Sequence, residues 1–141
     1  MTRPFKLVNT LHPRLLVDDF AAVFRFYDTV LPQVIGAKLA EGSAEGPYAR
    51  WDTDLDKQPA IAVLDRAAMT GMLAETTAST GDQSIIVLRL ADVDTAQNVF
   101  TAAGATIVSA AAARPEWGSD VRIAYLRDPA GTLVELQASP D

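Results

Sequence analysis

Two side chains of this 141-residue sequence stand where an imidazole or a carboxylate could do chemistry. His12 is the only histidine and lies near the start of the apolar run 11–17. Glu135 interrupts the apolar run 133–136 near the other end of the chain. These groups can bind a metal ion, transfer a proton or hold a polar ligand. Because the chain has no cysteine, disulfides, thiolate metal sites and thiol nucleophiles are excluded.

The surroundings of Glu135 make its carboxylate the more informative of the two groups. Side chains alternate between the faces of a strand, so Glu135 shares a face with Leu133 and Gln137. An uncompensated carboxylate is costly to bury, which predicts either a wet face or a partner. Arg14, on the same strand face as His12, is one candidate partner. A structural ion pair, a ligand role and a general base all stay open for Glu135.

Aromatic side chains supply the other candidates. Trp51 and Trp117 are the only tryptophans; both can pack in the core, or Trp117 can cover a cavity mouth from the loop ARPEWGSD. Tyr48 and Arg50 alternate with Trp51 along one predicted strand. Aromatic surfaces with a few polar groups suit planar or amphipathic ligands. The candidate ligand-binding residues are therefore His12, Arg14, Tyr48, Trp51, Trp117 and Glu135.

The elements that position these residues occur in the same order twice. In the first half, a strand at 11–17 precedes a helix with Asp18–Asp19 as its cap, which Pro32 ends. In the second half, a strand at 84–91 precedes a helix with Asp92 as its cap and Gly104 as its end. The remaining strands are predicted at 34–40, 48–52, 59–65, 105–110, 121–127 and 132–138.

A shift of 73 residues superimposes the two halves and pairs, for example, Asp19 with Asp92 and Ile61 with Val134. The pattern predicts a single α+β domain of paired βαβββ modules, whose curved mixed sheets form around a cavity. Module one spans about 8–66, the linker about 67–83 and module two about 84–138.

Long segments of the chain resemble the vicinal oxygen chelate superfamily, which includes glyoxalases, extradiol dioxygenases and bleomycin resistance proteins. They are HPRLLVDDF with FRFYDTVL, LADVDTAQNVFTAAGA, and PEWGSDVRIAYLRDPAGTLVEL. The resemblance implies a homodimer with cavities at the module interface. It also implies that His12 and Glu135 match the first and last of four metal-ligand positions in the metal-dependent members.

The 73-residue shift places the other two ligand positions at Ile85 and Ala62, which have no donor atoms. A catalytic divalent-metal site needs about three protein ligands. We therefore expect no metal cofactor, and His12 and Glu135 as the ligands if one is present. The resemblance then favours a metal-independent small-molecule-binding protein, like the drug-sequestering antibiotic-resistance members. The alternative is a lyase, isomerase or dioxygenase that uses His12 and Glu135 with a divalent metal.

The composition of the chain limits the classes of partner that the protein can have. The formal charge of −6 and the absence of a Lys/Arg stripe argue against nucleic acid. No apolar run reaches the roughly 20 residues that span a bilayer, and the chain start lacks the pattern of a secretory signal. We therefore expect a cytoplasmic protein with a small-molecule ligand, to which the acidic charge can add attraction for cations. The two modules can pair within one chain or by exchange between two.

Overall fold

A computed structural model describes residues 12–53, 58–72 and 84–139. It confirms the α+β class and the paired βαβββ order. The first module contains β1 (Arg14–Val17), α1 (Phe20–Val34), β2 (Lys38–Gly42), β3 (Tyr48–Asp52) and β4 (Pro59–Asp65), and α2 (Arg66–Met72) follows it. The second contains β5 (Ile86–Arg89), α3 (Val93–Ala102), β6 (Thr106–Ala113), a short 3-10 turn (Pro115–Trp117), β7 (Arg122–Arg127) and β8 (Leu133–Ala138). No helix among the described segments has the length and apolar composition that crossing a membrane requires.

Helix α1 begins at the predicted cap but ends later than predicted. The Asp19 carboxylate accepts a hydrogen bond from the Ala22 amide at 3.2 Å, which satisfies one free amide of the first turn. Pro32 lies inside the last turn, and the helix continues to Val34. Because a proline near a helix end removes only one backbone bond, the turn closes beyond it, with the Ile35 amide donating to the Leu31 carbonyl. The strand predicted at 34–40 consequently starts only at Lys38.

Each module forms one four-stranded mixed sheet. The strand orders are β1-β4-β3-β2 in the first sheet and β5-β8-β7-β6 in the second. In each sheet the first pair is parallel and the other pairs are antiparallel. A parallel pair needs a long crossover, and each module supplies it with its helix and two further strands.

The pairing register reproduces the repeat that the sequence predicts. Arg14 opposes Ala62 between β1 and β4, and Val87 opposes Glu135 between β5 and β8. Both members of the second pair lie 73 positions after their counterparts in the first pair. The two modules are therefore equivalent residue by residue across their parallel strands.

The two modules share one core, in which α1 and α3 are in contact. The rings of Phe26 and Phe100 meet edge to face at 5.5 Å. The Tyr27 hydroxyl donates a hydrogen bond of 2.6 Å to the Asp128 carboxylate, which is 4% exposed. Asp128 also accepts from the amides of Ala130 and Thr132 and so closes the β7–β8 turn. Burial, followed by the charge and hydrogen bond of Asp128, raises the pKa of Tyr27 well above its ordinary value.

We predict that Tyr27→Phe lowers the free energy of unfolding by about 1.5–3 kcal/mol at neutral pH, because Asp128 loses a buried donor. A raised tyrosine pKa stabilises the fold below the unfolded pKa of about 10, and the contribution is lost as the pH rises above that value. The difference between wild type and variant should therefore shrink above about pH 10. Urea unfolding of both proteins, at neutral pH and above about pH 10, measures this difference in the free energy of unfolding.

Tyr48→Phe is the matched control, because the Tyr48 side chain is only partly buried. It should cost less than Tyr27→Phe at neutral pH. Equal costs for the two variants would contradict the role given to the Tyr27–Asp128 bond.

Candidate functional site

Each sheet has one face against the helices and one face that carries the polar candidates. In β1, Leu15 and Val17 pack in the core, and the alternation of side chains places Arg14 on the opposite face. In β8, Val134 and Leu136 pack in the core, and Glu135 takes the opposite face. The candidate site is therefore built on the sheet faces that point away from the helices.

The first sheet presents what we call the Arg14 face, formed by Arg14, Tyr48, Arg50 and Ala62. Ala62 is fully buried, and Arg14 and Arg50 oppose it on its two neighbouring strands. The Arg14 guanidinium carbon lies 5.1 Å from the centre of the Tyr48 ring, a cation–π contact. Two guanidinium groups thus flank the position where the resemblance implies a metal ligand.

The two arginines of this face differ in their partners. The Nε of Arg50 donates to the Asp52 carboxylate at 2.9 Å, and its Nη1 lies 4.0 Å from Glu41 Oε2. The hydrogen bond from Arg50 to Asp52 is the main cause that raises the Arg50 pKa. Arg14 is exposed, and no carboxylate of the described residues lies within ion-pair distance of it. Arg14 is therefore the uncompensated charge of the face.

The second sheet presents the Glu135 face, formed by Val87, Tyr125, Glu135 and Gln137. Glu135 is 8% exposed and opposes Tyr125 on β7. The Gln137 amide donates to Glu135 Oε2 at 3.3 Å, and the Tyr125 hydroxyl hydrogen-bonds the carboxylate. Burial, followed by the hydrogen bond and charge of Glu135, raises the pKa of Tyr125. The carboxylate is thus held by its own sheet.

The Arg14–Glu135 ion pair that we considered from the sequence does not form. Arg14 lies on the first sheet, where its contact is Tyr48, and Glu135 lies on the second sheet with Tyr125 and Gln137. The pair was inferred from matching strand faces in two different sheets. Matching faces do not bring two residues together unless the sheets also oppose each other within the chain.

Further polar groups extend the Glu135 face on both sides. On one side, Arg89 Nε donates to Gln137 Oε1 at 3.1 Å. On the other side, Arg114 Nη2 donates to the hydroxyl of Ser109, which opposes Tyr125. The Nε of Arg114 is buried without a hydrogen-bond partner. The face therefore combines one acceptor-rich centre with guanidinium groups at its edges.

Trp51 does not lie on either polar face, contrary to its place among the ligand-binding candidates. It is 0% exposed, its ring packs against Phe24 and Tyr27, and its Nε1 donates to Asp28 at 3.0 Å. Trp51 and Tyr48 point to opposite faces of β3, so Tyr48 is the aromatic residue of the Arg14 face. Trp117 ends the short 3-10 turn before β7, and its side chain is outside the described part of the structure. Its role at a cavity mouth stays a prediction.

His12 and Glu135 do not lie on the same sheet. His12 is half-buried and precedes β1 on the first sheet, whereas Glu135 belongs to the second. A cavity of about 330 Å³ does lie where the modules meet, but on the core side of the strands. It is lined mainly by apolar side chains that include Leu15, Tyr27, Leu31, Ile61, Ile86 and Val134. Of the residues that form the two polar faces, only Val87 lines it.

The residues at the four equivalent positions do not fit a divalent metal. Ala62 and Ile85 carry no donor atoms, and the guanidinium groups of Arg14 and Arg50 beside Ala62 would repel a cation. Within the segments that the structure describes, no three His, Cys, Asp or Glu side chains come together as a metal site. Glu135 is already engaged by Tyr125 and Gln137.

The partners of Glu135, Tyr125 and Gln137, are not among the residues predicted from the sequence. A sequence signal for Tyr125 was present, because the turn at residues 128–132 joins two runs that read as one hairpin. A hairpin centred on Ala130 places Tyr125 opposite Glu135, which is the observed register. Gln137 was assigned to the same strand face as Glu135 but not considered as its partner.

We predict that Glu135→Gln lowers the Tyr125 pKa toward its ordinary value, because the negative charge that opposes ionisation is removed. Absorbance near 295 nm, titrated to alkaline pH, measures tyrosine ionisation; the transition absent from Tyr125→Phe identifies Tyr125. Glu116→Gln, at an exposed carboxylate in the turn before β7, is the control and should leave the transition in place. An unchanged transition in Glu135→Gln would show that the two side chains are not in contact.

Comparisons with known proteins agree with this architecture. The family model of the Glyoxalase/Bleomycin resistance protein/Dioxygenase superfamily matches residues 9–136. No curated protein matches the chain at a significant level.

Three solved structures illustrate the shared fold. A glyoxalase-related enzyme from Fulvimarina pelagi has a TM-score of 0.74 at 17% identity, over 94% of this chain and 90% of that one. A glyoxalase/bleomycin resistance protein/dioxygenase family enzyme from Burkholderia phytofirmans PsJN has a TM-score of 0.72 at 22% identity, over 90% of this chain and 95% of that one. A protein of unknown function from Agrobacterium tumefaciens str. C58 has a TM-score of 0.72 at 20% identity, over 96% of this chain and 97% of that one.

Proposed function

The chain belongs to the Glyoxalase/Bleomycin resistance protein/Dioxygenase superfamily, and from that premise we propose that it binds a small organic molecule without a resident metal ion. The observation that carries this proposal is the composition of the four equivalent strand positions. Two of them lack donor atoms, and one of those two is flanked by Arg14 and Arg50. A site that needs no metal needs only a concave surface with a few placed polar groups.

The two polar faces supply the groups that such binding requires. The Arg14 face offers a partly buried aromatic ring and an exposed guanidinium. The Glu135 face offers a buried carboxylate whose orientation is set by Tyr125 and Gln137. These groups are held by their own strands, so they need little rearrangement to receive a ligand. Sequestration of a ligand, as in the drug-binding members that the sequence resembles, fits this arrangement better than metal-assisted turnover.

We also propose a homodimer in which the second copy covers the Glu135 face. Within one chain, Val87 on the Glu135 face is 49% exposed and the neighbouring Ile85 is 39% exposed. Apolar side chains at a strand edge are commonly covered by a partner. A second copy would bury them and enclose the groups beside them.

We predict that protein purified without added metal carries well under one transition-metal ion per chain. Two donors that lie on separate sheets hold a divalent ion weakly. Elemental analysis of the dialysed protein measures the content, and His12→Ala is the control, which should leave any trace level unchanged. Stoichiometric zinc, nickel, manganese or iron that disappears in His12→Ala would contradict metal independence and favour a lyase, isomerase or dioxygenase.

We predict that small planar molecules bind to the polar faces in the absence of metal. Benzoate, benzyl alcohol and benzylamine, which share one ring and differ in charge, are suitable probes. Because such small probes make few contacts, binding at millimolar concentration is expected. Backbone amide shifts in two-dimensional NMR should concentrate in β1, β3 and β4 or in β5, β7 and β8 for at least one probe. Shifts confined to the helices, or none with any probe, would contradict the proposed function.

A further inference from the structure

We infer that the Arg14 face is an anion-binding surface that takes a small planar organic acid, with Arg14 as the group that pairs with the acid's carboxylate. This inference rests on the proposed function and specifies its ligand class. It starts from the equivalence of the two modules. Ala62 occupies the position that Glu135 occupies in the second module, so the first module has no carboxylate there and has guanidinium groups on both neighbouring strands.

The hydrogen-bonding groups of Arg14 are available to a ligand. The Arg14 guanidinium carbon lies 5.1 Å from the centre of the Tyr48 ring, and no carboxylate of the described residues pairs with it. The five N–H bonds of a guanidinium lie in one plane. A carboxylate can accept two of them side by side, which is the geometry in which arginine binds carboxylates best.

The neighbouring arginine does not compete for the ligand, because two carboxylates engage it. Neighbouring strands are about 4.8 Å apart, so the backbones of Arg14 and Arg50 are about 10 Å apart across Ala62. Arg50 is held by Asp52 and lies near Glu41, whose charges offset its own. Arg14 has no such carboxylate among the described residues and is the unpaired positive charge of the face.

The chemistry of the face favours a flat anionic ligand. Ala62, between the two arginines, is fully buried by its neighbours, so a ligand contacts the side chains around it. Tyr48 is only partly buried and offers an aromatic surface beside the exposed Arg14. A planar ring can pack against Tyr48 while its carboxylate reaches the N–H groups of Arg14. A cationic ligand would be repelled by the Arg14 charge.

The test compares benzoate with its neutral and cationic analogues on the full-length protein. We expect benzoate to bind more tightly than benzyl alcohol and benzylamine, with amide shifts at residues 14, 48–50 and 62. Arg14→Gln should weaken benzoate about fivefold, the factor that 1 kcal/mol gives for an exposed ion pair. It should change benzyl alcohol binding little. Arg14→Lys, which keeps the charge but loses the planar fork, should fall between wild type and Arg14→Gln.

Arg25→Gln is the matched control, because it removes the same charge from an exposed position on α1, on the helix side of the sheets. It should leave benzoate binding unchanged. Equal losses in Arg14→Gln and Arg25→Gln would overturn the inference, since they would show an effect of net charge alone. Benzylamine or benzyl alcohol binding in preference to benzoate would also overturn it while leaving small-molecule binding intact. Absence of binding by all three probes would remove the proposed function together with the inference.

Discussion

The alternation of side chains between the two faces of each paired strand is the constraint on which the rest of this structure depends. One face of each sheet is buried under the helices, so each strand residue is committed to the core or to a polar face by its position alone. Trp51 and Arg50 are neighbours in sequence, yet Trp51 fills the core and Arg50 pairs with Asp52 on the other face. A shift of one residue in any strand would exchange these roles.

This alternation, like the periodicity of the helices, also explains how much of the molecule could be predicted from sequence. The repeat, the helices and their aspartate caps depend on local periodicity, and they were predicted correctly. The end of α1 was not, because a proline in a last turn ends a helix only if the chain beyond it cannot form the closing bonds. Ile35 and Ala37 both form them with the Leu31 carbonyl.

The site was predicted less completely, because its contacts cross between strands. Glu135 was correctly singled out as a carboxylate that needs a partner, but the partners are Tyr125 and Gln137 rather than Arg14. Face assignment is a property of one strand, whereas partnership depends on which strands are adjacent. Trp51 illustrates the same limit. A tryptophan in a strand can line a ligand cavity or fill the core, and only its contacts with Phe24 and Tyr27 show that Trp51 is a core residue.

The bond between Tyr27 and Asp128 has a consequence for how the molecule loses its structure. It joins the helix of one module to the turn of the β7–β8 hairpin in the other, and both groups lie in a core that the two modules share. Fraying of the hairpin turn therefore exposes a buried carboxylate and unpairs a tyrosine of the other module at once. Neither module can open at this junction without cost to the other, so the stabilities of the two modules are coupled there.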